Sequence, residues 1–155
     1  MYVLHTYLKI SIFLNGNSLP DNMKGIEEKK LAVHTDARGW LAEIFRPSDV
    51  NNTMKGQVTI TTAHPGNVKA NHYHKRKYEW YCVMQGKMKL ALKDMKTAET
   101  EEIILSSDDM KILKISPNIS HGFKNIGKDM LVVLMYIDEP FDSKEPDTFP
   151  EVVIE

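Results

Sequence analysis

The stretch GNVKANHYHKRKYEWYCVMQG, residues 66–86, decides how this chain is read. Two extended-type runs flank a charged, turn-prone KRKY, and Gly66 and Gly86 close the segment at either end. His72 and His74 stand two apart, and side chains two apart on a strand share a face. Glu79 follows across the short turn and can look into the same interior from the returning strand. Two imidazoles and a carboxylate converging in a barrel mouth can hold a divalent metal, zinc or similar. They can equally supply general bases in a dry pocket. His121, in SPNISHGFKN after a Pro-Asn turn, can close the cluster as a further ligand.

Outward from that stretch the chain reads as β-strand. LAEIF (41–45), QVTITT (57–62), EWYCVMQ (79–85), KMKLALK (87–93), EEIILS (101–106), MKILKI (110–115) and LVVLMYI (131–137) are short apolar or β-branched runs. They are separated by turn signals rich in Gly, Pro, Asn, Asp and Ser, the spacing of a sandwich or barrel. No window of about twelve residues keeps a 3.6-residue apolar period, which excludes a helical bundle. The expected fold is all-β, a jelly-roll barrel or sandwich. Residues 1–25, ending in NGNSLPDNMKG, read as an N-terminal arm or extension, and residues 26–155 as the domain proper. The 79–85 strand is apolar on both faces, so something must cover the second one. The arm or a second copy of the chain would serve, and a homodimer is expected.

The composition narrows the function classes. With 155 residues, 42% hydrophobic and 26% charged, the chain suits one soluble domain. Twenty Lys+Arg against 21 Asp+Glu leave a net charge of −1, so bulk charge gives no reason to expect a nucleic-acid partner. The single cysteine, Cys82, cannot form an internal disulfide. No run approaches the ~18 apolar residues of a membrane helix. The opening MYVLHTYLKISIFL lacks the basic start of a signal peptide, so a cytoplasmic location without membrane contact is expected.

The spacing through Gly66, His72, His74, Glu79 and Gly86, with PNISHGFKN as a second element, resembles the two motifs of the cupin superfamily. Pro117 to His121 is four steps, one shorter than the common cupin form. That shorter form resembles the dTDP-4-dehydrorhamnose 3,5-epimerase family. TDARGWLAEIFR (35–46) resembles that family's D-x-R-G-x-F-x-E signature through Asp36, Arg38, Gly39 and Glu43, and KANHYH (69–74) resembles its R-G-x-H-x-Q motif. The cupin domain of capsular-polysaccharide epimerases, with an RGNHYH-like segment and a following glutamate, is similar as well.

The resemblance implies an isomerase acting on a dTDP- or UDP-linked 4-keto-6-deoxy hexose in surface or capsular polysaccharide biosynthesis. It implies His72 as the base that removes the proton beside the ketone and Tyr136 as the acid that returns one. Arg38, Glu43 and Lys69 fall on positions that contact the nucleotide or its pyrophosphate, and His121 is placed with the substrate-binding residues. No cofactor is required for that reaction. The chain departs from the rhamnose-type pattern at Glu79, where the family has lysine, and at His74, where it has glutamine. A carboxylate cannot stabilise an enolate, but with His72, His74 and His121 it can hold a metal that does. A metal-bound imidazole is a poor base, so His72 cannot fill both roles. No match exists for the aspartate the family pairs with its base, and Asp138, Asp142 and Asp147 stay unassigned.

Two other classes stay open at this point. One is a metal-dependent cupin enzyme of oxygenase type using His72, His74, Glu79 and His121. The other is a non-catalytic jelly roll that binds sugar nucleotides. Lys75, Arg76 and Lys77 read either as a solvated turn or as a basic lip that steers an anionic substrate.

Overall fold

A computed structural model describes residues 23–37, 39–50 and 55–155. The arm expected over residues 1–25 lies almost wholly outside the described residues, as does Arg38. In chain order the strands are β1 (Ile26–Lys30), β2 (Val33–Asp36), β3 (Gly39–Ala42), β4 (Gln57–Ala63), β5 (Val68–Tyr73) and β6 (Glu79–Gln85). They continue with β7 (Lys87–Asp94), β8 (Thr100–Ser106), β9 (Lys111–Ile115), β10 (Ile119–Asn125), β11 (Leu131–Ile137) and β12 (Phe149–Pro150). There is no α-helix among the described residues.

Two five-stranded sheets have the orders β1-β9-β6-β11-β4 and β12-β5-β10-β7-β8, and β2 and β3 form a separate hairpin. Neighbouring strands pair antiparallel throughout. The inward residues of the two sheets meet in one core. Tyr81 and Val83 of β6, Leu113 of β9 and Val133 of β11 face Met88, Leu90 and Leu92 of β7 and Phe123 of β10. Each side chain of this size contributes about 1.5–3 kcal/mol when fully buried. This is the two-layer, all-β jelly roll that the alternating runs predict.

The covering of the second face of β6 differs from expectation. Trp80 and Cys82 pack with Leu31, Val50, Met110, Ile112 and Tyr136 in a second cluster, flanked by Ala42, Ile44 and Phe45. The cover is therefore the chain's own segment 31–50. That segment also explains why LAEIF is not one strand. β3 ends at Ala42, and the chain turns so that Phe45 lies against Tyr136, ring centroids 5.9 Å apart.

One irregularity shapes the part of β5 that carries His72. Along the β5–β10 pairing His121 stands opposite His72, but Gly122 stands opposite Ala70, so Asn71 is an extra, bulged residue. Ala70 and Asn71 carry positive φ of 67° and 59°. The strain is compensated by the Asn71 amide, whose Oδ1 accepts from the Val153 and Ile154 amides at 3.0 and 3.2 Å while Nδ2 donates to the Ile154 carbonyl at 2.9 Å. Gly122 makes room for this clasp, since a Cβ there would sit 2.2 Å from Asn71 Oδ1 and 2.8 Å from Ile154 Cγ2. Gly122→Ala should therefore cost about 1–3 kcal/mol, with amide exchange rising first over residues 151–154. An unchanged exchange pattern would show the clasp to be unimportant.

Candidate functional site

His72 from β5, His74 just beyond it, Glu79 from the start of β6 and His121 from β10 meet at one end of the roll. One ligand atom from each can be chosen so that all lie within 4.8 Å of one another. The two sheets contribute jointly, because the three histidines come from one layer and Glu79 from the other. Glu79 Oε2 is 2.7 Å from His121 Nε2, and Glu79 Oε1 is 3.5 Å from His74 Nε2. Even so, His74 Nε2, Glu79 Oε2 and His121 Nε2 are buried without a well-directed hydrogen bond. Three buried donor atoms that converge without satisfying one another fit a divalent cation.

The outer nitrogen of each imidazole is fixed by a backbone carbonyl. His121 Nδ1 lies 3.1 Å from the Ile119 carbonyl, His74 Nδ1 bonds the Asp147 carbonyl, and His72 bonds the Ala70 backbone. A carbonyl only accepts, so the bonded nitrogen carries the proton and the other keeps its lone pair for the centre. This is how a protein presets metal-ligating imidazoles.

Burial and charge divide the group. Burial pushes the Glu79 carboxyl up, but His121 and His74 outweigh it and hold it well below the usual carboxylate range. Burial lowers His74, yet the Glu79 carboxylate wins and raises it above 6.5. For His72 burial dominates, His121 adds to it, and the value falls to about 4, so this imidazole is neutral at pH 7. Tyr81 lies beneath; burial and the Glu79 carboxylate, to which it donates, keep its hydroxyl protonated.

A cavity of about 350 Å³ opens over the cluster, reached by His72, His74 and Glu79 together with Lys69, Lys77 and Tyr81. Lys69 is at its rim and donates to Thr61 Oγ1 at 2.8 Å and to the Thr62 carbonyl at 3.0 Å. Tyr136 is not brought there. Along β11, Met135 and Ile137 face the cavity, whereas Tyr136 pairs with Trp80 and its hydroxyl accepts from the Gly56 amide at 2.9 Å. Glu43 also lies away from the cluster, exposed and ion-paired with Arg46. Sequence reasoning passed over Lys77 as one of three turn cations and left Asp147 unassigned. Asp147 serves through its backbone: its carbonyl holds His74, while its carboxylate accepts the amides of Lys75, Arg76 and Lys77 at 3.1–3.3 Å. No spacing rule forecasts a contact made by a carbonyl.

Residues 34–149 match the polysaccharide biosynthesis C-terminal domain family, which is most of the chain. The chain belongs to this family. A UDP-2-acetamido-2,6-beta-L-arabino-hexul-4-ose reductase of Pseudomonas aeruginosa is 32% identical over 117 residues, which are 76% of this chain but 30% of that protein. This chain thus spans less than a third of the length of that relative. The spore coat polysaccharide biosynthesis protein SpsL of Bacillus subtilis is 27% identical, with 79% of this chain and 85% of that protein covered. Among solved structures, the capsular polysaccharide assembling protein CapF of Staphylococcus aureus aligns at TM-score 0.61 and 31% identity, covering 79% of this chain and 34% of CapF. A dTDP sugar isomerase of Desulfovibrio desulfuricans aligns at TM-score 0.76 and 18% identity over 84% of this chain and 85% of that one, which shows the shared jelly-roll fold. The resemblance is borne out in the jelly-roll fold and in the likeness to capsular-polysaccharide relatives. Among the chain's described residues no helix is long and apolar enough to cross a membrane.

Proposed function

We propose that this family member is an epimerase or isomerase of a dTDP- or UDP-linked 4-keto-6-deoxy hexose, acting by proton removal beside the ketone in polysaccharide biosynthesis. The observation that carries the reading is the division of labour in the cluster. His74, Glu79 and His121 supply the three unsatisfied buried atoms, while the His72 imidazole is neutral and opens onto the cavity. On this reading His74, Glu79 and His121 would hold a divalent metal and His72 would serve as the base, one role to each. When bound, such a metal supplies Lewis-acid polarisation of a carbonyl oxygen. The protein's own residues do the rest. His72 takes the proton from carbon, the Ala70 carbonyl fixes its ring, and the apolar walls Phe123 and Met135 exclude water. Lys69 at the rim meets the diphosphate as a point charge.

The test is incubation in heavy water with dTDP- and UDP-linked 4-keto-6-deoxy hexoses, followed by mass spectrometry. One deuterium gained means a single exchange site and two mean both flanking carbons. No exchange with either substrate sinks the reading and directs attention to oxygen consumption by the loaded protein.

A homodimer is part of the same proposal. Val58 and Ile60, 58% and 65% exposed, lie on the edge strand β4, and Trp40 and Leu41 of the hairpin are 53% and 60% exposed. Exposed apolar side chains on an edge strand and on a separate hairpin suit a second copy. A monomeric mass by light scattering would overturn it.

A further inference from the structure

An ammonium is costly to remove from water unless a carboxylate or several acceptors meet it, and Lys77 is only 3% exposed. Its Nζ donates to the Pro146 carbonyl at 2.9 Å and lies 5.9 Å from the centre of the Phe141 ring. It has no ion pair among the described residues. Nearby Glu139 is held by Arg76, whose Nε and Nη2 approach it at 2.8 and 2.6 Å. One of three N–H donors is therefore accounted for. Lys75 and Arg76, its neighbours in the turn, are exposed, whereas Lys77 lines the same cavity as His72, His74 and Glu79. The Asp147 carboxylate fixes the turn by accepting its three successive amides, so Lys77 starts from a rigid backbone.

Resting on the reading of proton removal beside a ketone, we propose that Lys77 is a catalytic residue whose ammonium meets the negative charge that develops on the substrate's ketone oxygen. His72 takes the proton from carbon. The C–H electron pair becomes the C=C bond of the enolate, and the carbonyl π pair moves onto oxygen, where Lys77 donates an N–H. Return of a proton to carbon reverses each shift, so no oxidant or reductant is needed. A buried, preorganised cation is worth most here because little solvent must reorganise as the charge forms. The exposed, already bonded Lys69 suits the diphosphate at the rim; the buried Lys77 suits the reacting atoms.

The experiment compares wild type, Lys77→Met and Lys77→Arg. The measurements are deuterium exchange into a nucleotide-linked 4-keto hexose, kcat and KM, affinity for dTDP and UDP, zinc content and thermal midpoint. The expected result for Lys77→Met is a loss of about 10²–10³-fold in kcat and in exchange, with KM, nucleotide affinity and zinc content kept. Lys77→Arg, which keeps the charge, should recover part of the rate. A rise in KM and loss of nucleotide affinity at unchanged kcat would overturn the proposal in favour of a diphosphate anchor. Unchanged kinetics with a lowered thermal midpoint would reduce Lys77 to a tether for Pro146. Should Lys77→Met fail to fold, wild-type rates in the folded Lys77→Gln variant overturn the proposal, and a loss in that variant with nucleotide affinity intact supports it. Absence of exchange in wild type is a separate failure, that of the proton-removal reading, and the role of Lys77 falls with it.

Discussion

On the proposed assignment, replacing His72 by asparagine is expected to lower solvent-proton exchange by about 10²–10⁴-fold while zinc supplied to the protein stays bound. Asparagine fills a similar space and can still bond the Ala70 backbone, but it cannot accept a proton from carbon. The metal should stay because the unsatisfied buried atoms belong to His74, Glu79 and His121. Metal content decides between the two roles of His72: if it falls together with the rate, His72 is a fourth ligand and the base lies elsewhere. The pH profile gives an independent check. Burial and His121 hold His72 at about 4, so it is free to accept a proton throughout the neutral range, and exchange should persist well below pH 6 and fall only as the pH nears 4. Such an imidazole is a weak base. The weaker the base, the more the reaction depends on stabilising the enolate oxygen, which is why a cation beside the site and the buried Lys77 belong to the same account.

The strands were readable because each is short, β-rich and bounded by breakers. EWYCVMQ and LVVLMYI coincide with β6 and β11 to the residue. The cluster was readable because His-x-His on a strand and a glutamate across a turn carry their own geometry. The phase of β11 was not readable. LVVLMYI is apolar at almost every position, so its sequence does not say which face is inward. Only the pairing says it: Tyr136 stands opposite Trp80 and Ile137 opposite Glu79. Glu79 sets the inward face of β6, and Tyr136 therefore looks outward with Trp80. Nor could the sequence announce the bulge at Asn71, because asparagine in the left-handed region is common in turns and the clasp partner lies more than eighty residues away. LAEIF (41–45) reads as one strand for a related reason. A run such as LAEIF has the residue types of a strand, and only its contact with Trp80 and Tyr136 makes it a cover.

Glu79→Gln should have the largest effect on the protein itself, and its sign depends on pH and metal. In the metal-free protein Glu79 is the sole anion between His74 and His121 within the cluster. The raised His74 contributes stability that is complete below 6.5 and is lost as pH climbs through its folded value. The lowered Glu79 contributes stability present above its ordinary 4.5 and lost as pH falls. The pair therefore matters most between about pH 4.5 and 6.5. Breaking a buried pair from one side costs about 3–5 kcal/mol, and melting at pH 5.5 should show a deficit of that order. At pH 8.5 the deficit should shrink, because His74 can shed its proton and then carries no charge beside the neutral amide. Zinc reverses the comparison. A metal needs the carboxylate charged and the imidazoles neutral, so added zinc should raise the wild-type midpoint more at pH 8 than at pH 6 and leave Glu79→Gln nearly unmoved at both. A zinc response equal in the two proteins would place the ion outside this cluster. A wild-type midpoint that ignores zinc at either pH would mean that the four side chains form a hydrogen-bonded acid–base group, with Glu79 serving only to hold His74 and His121.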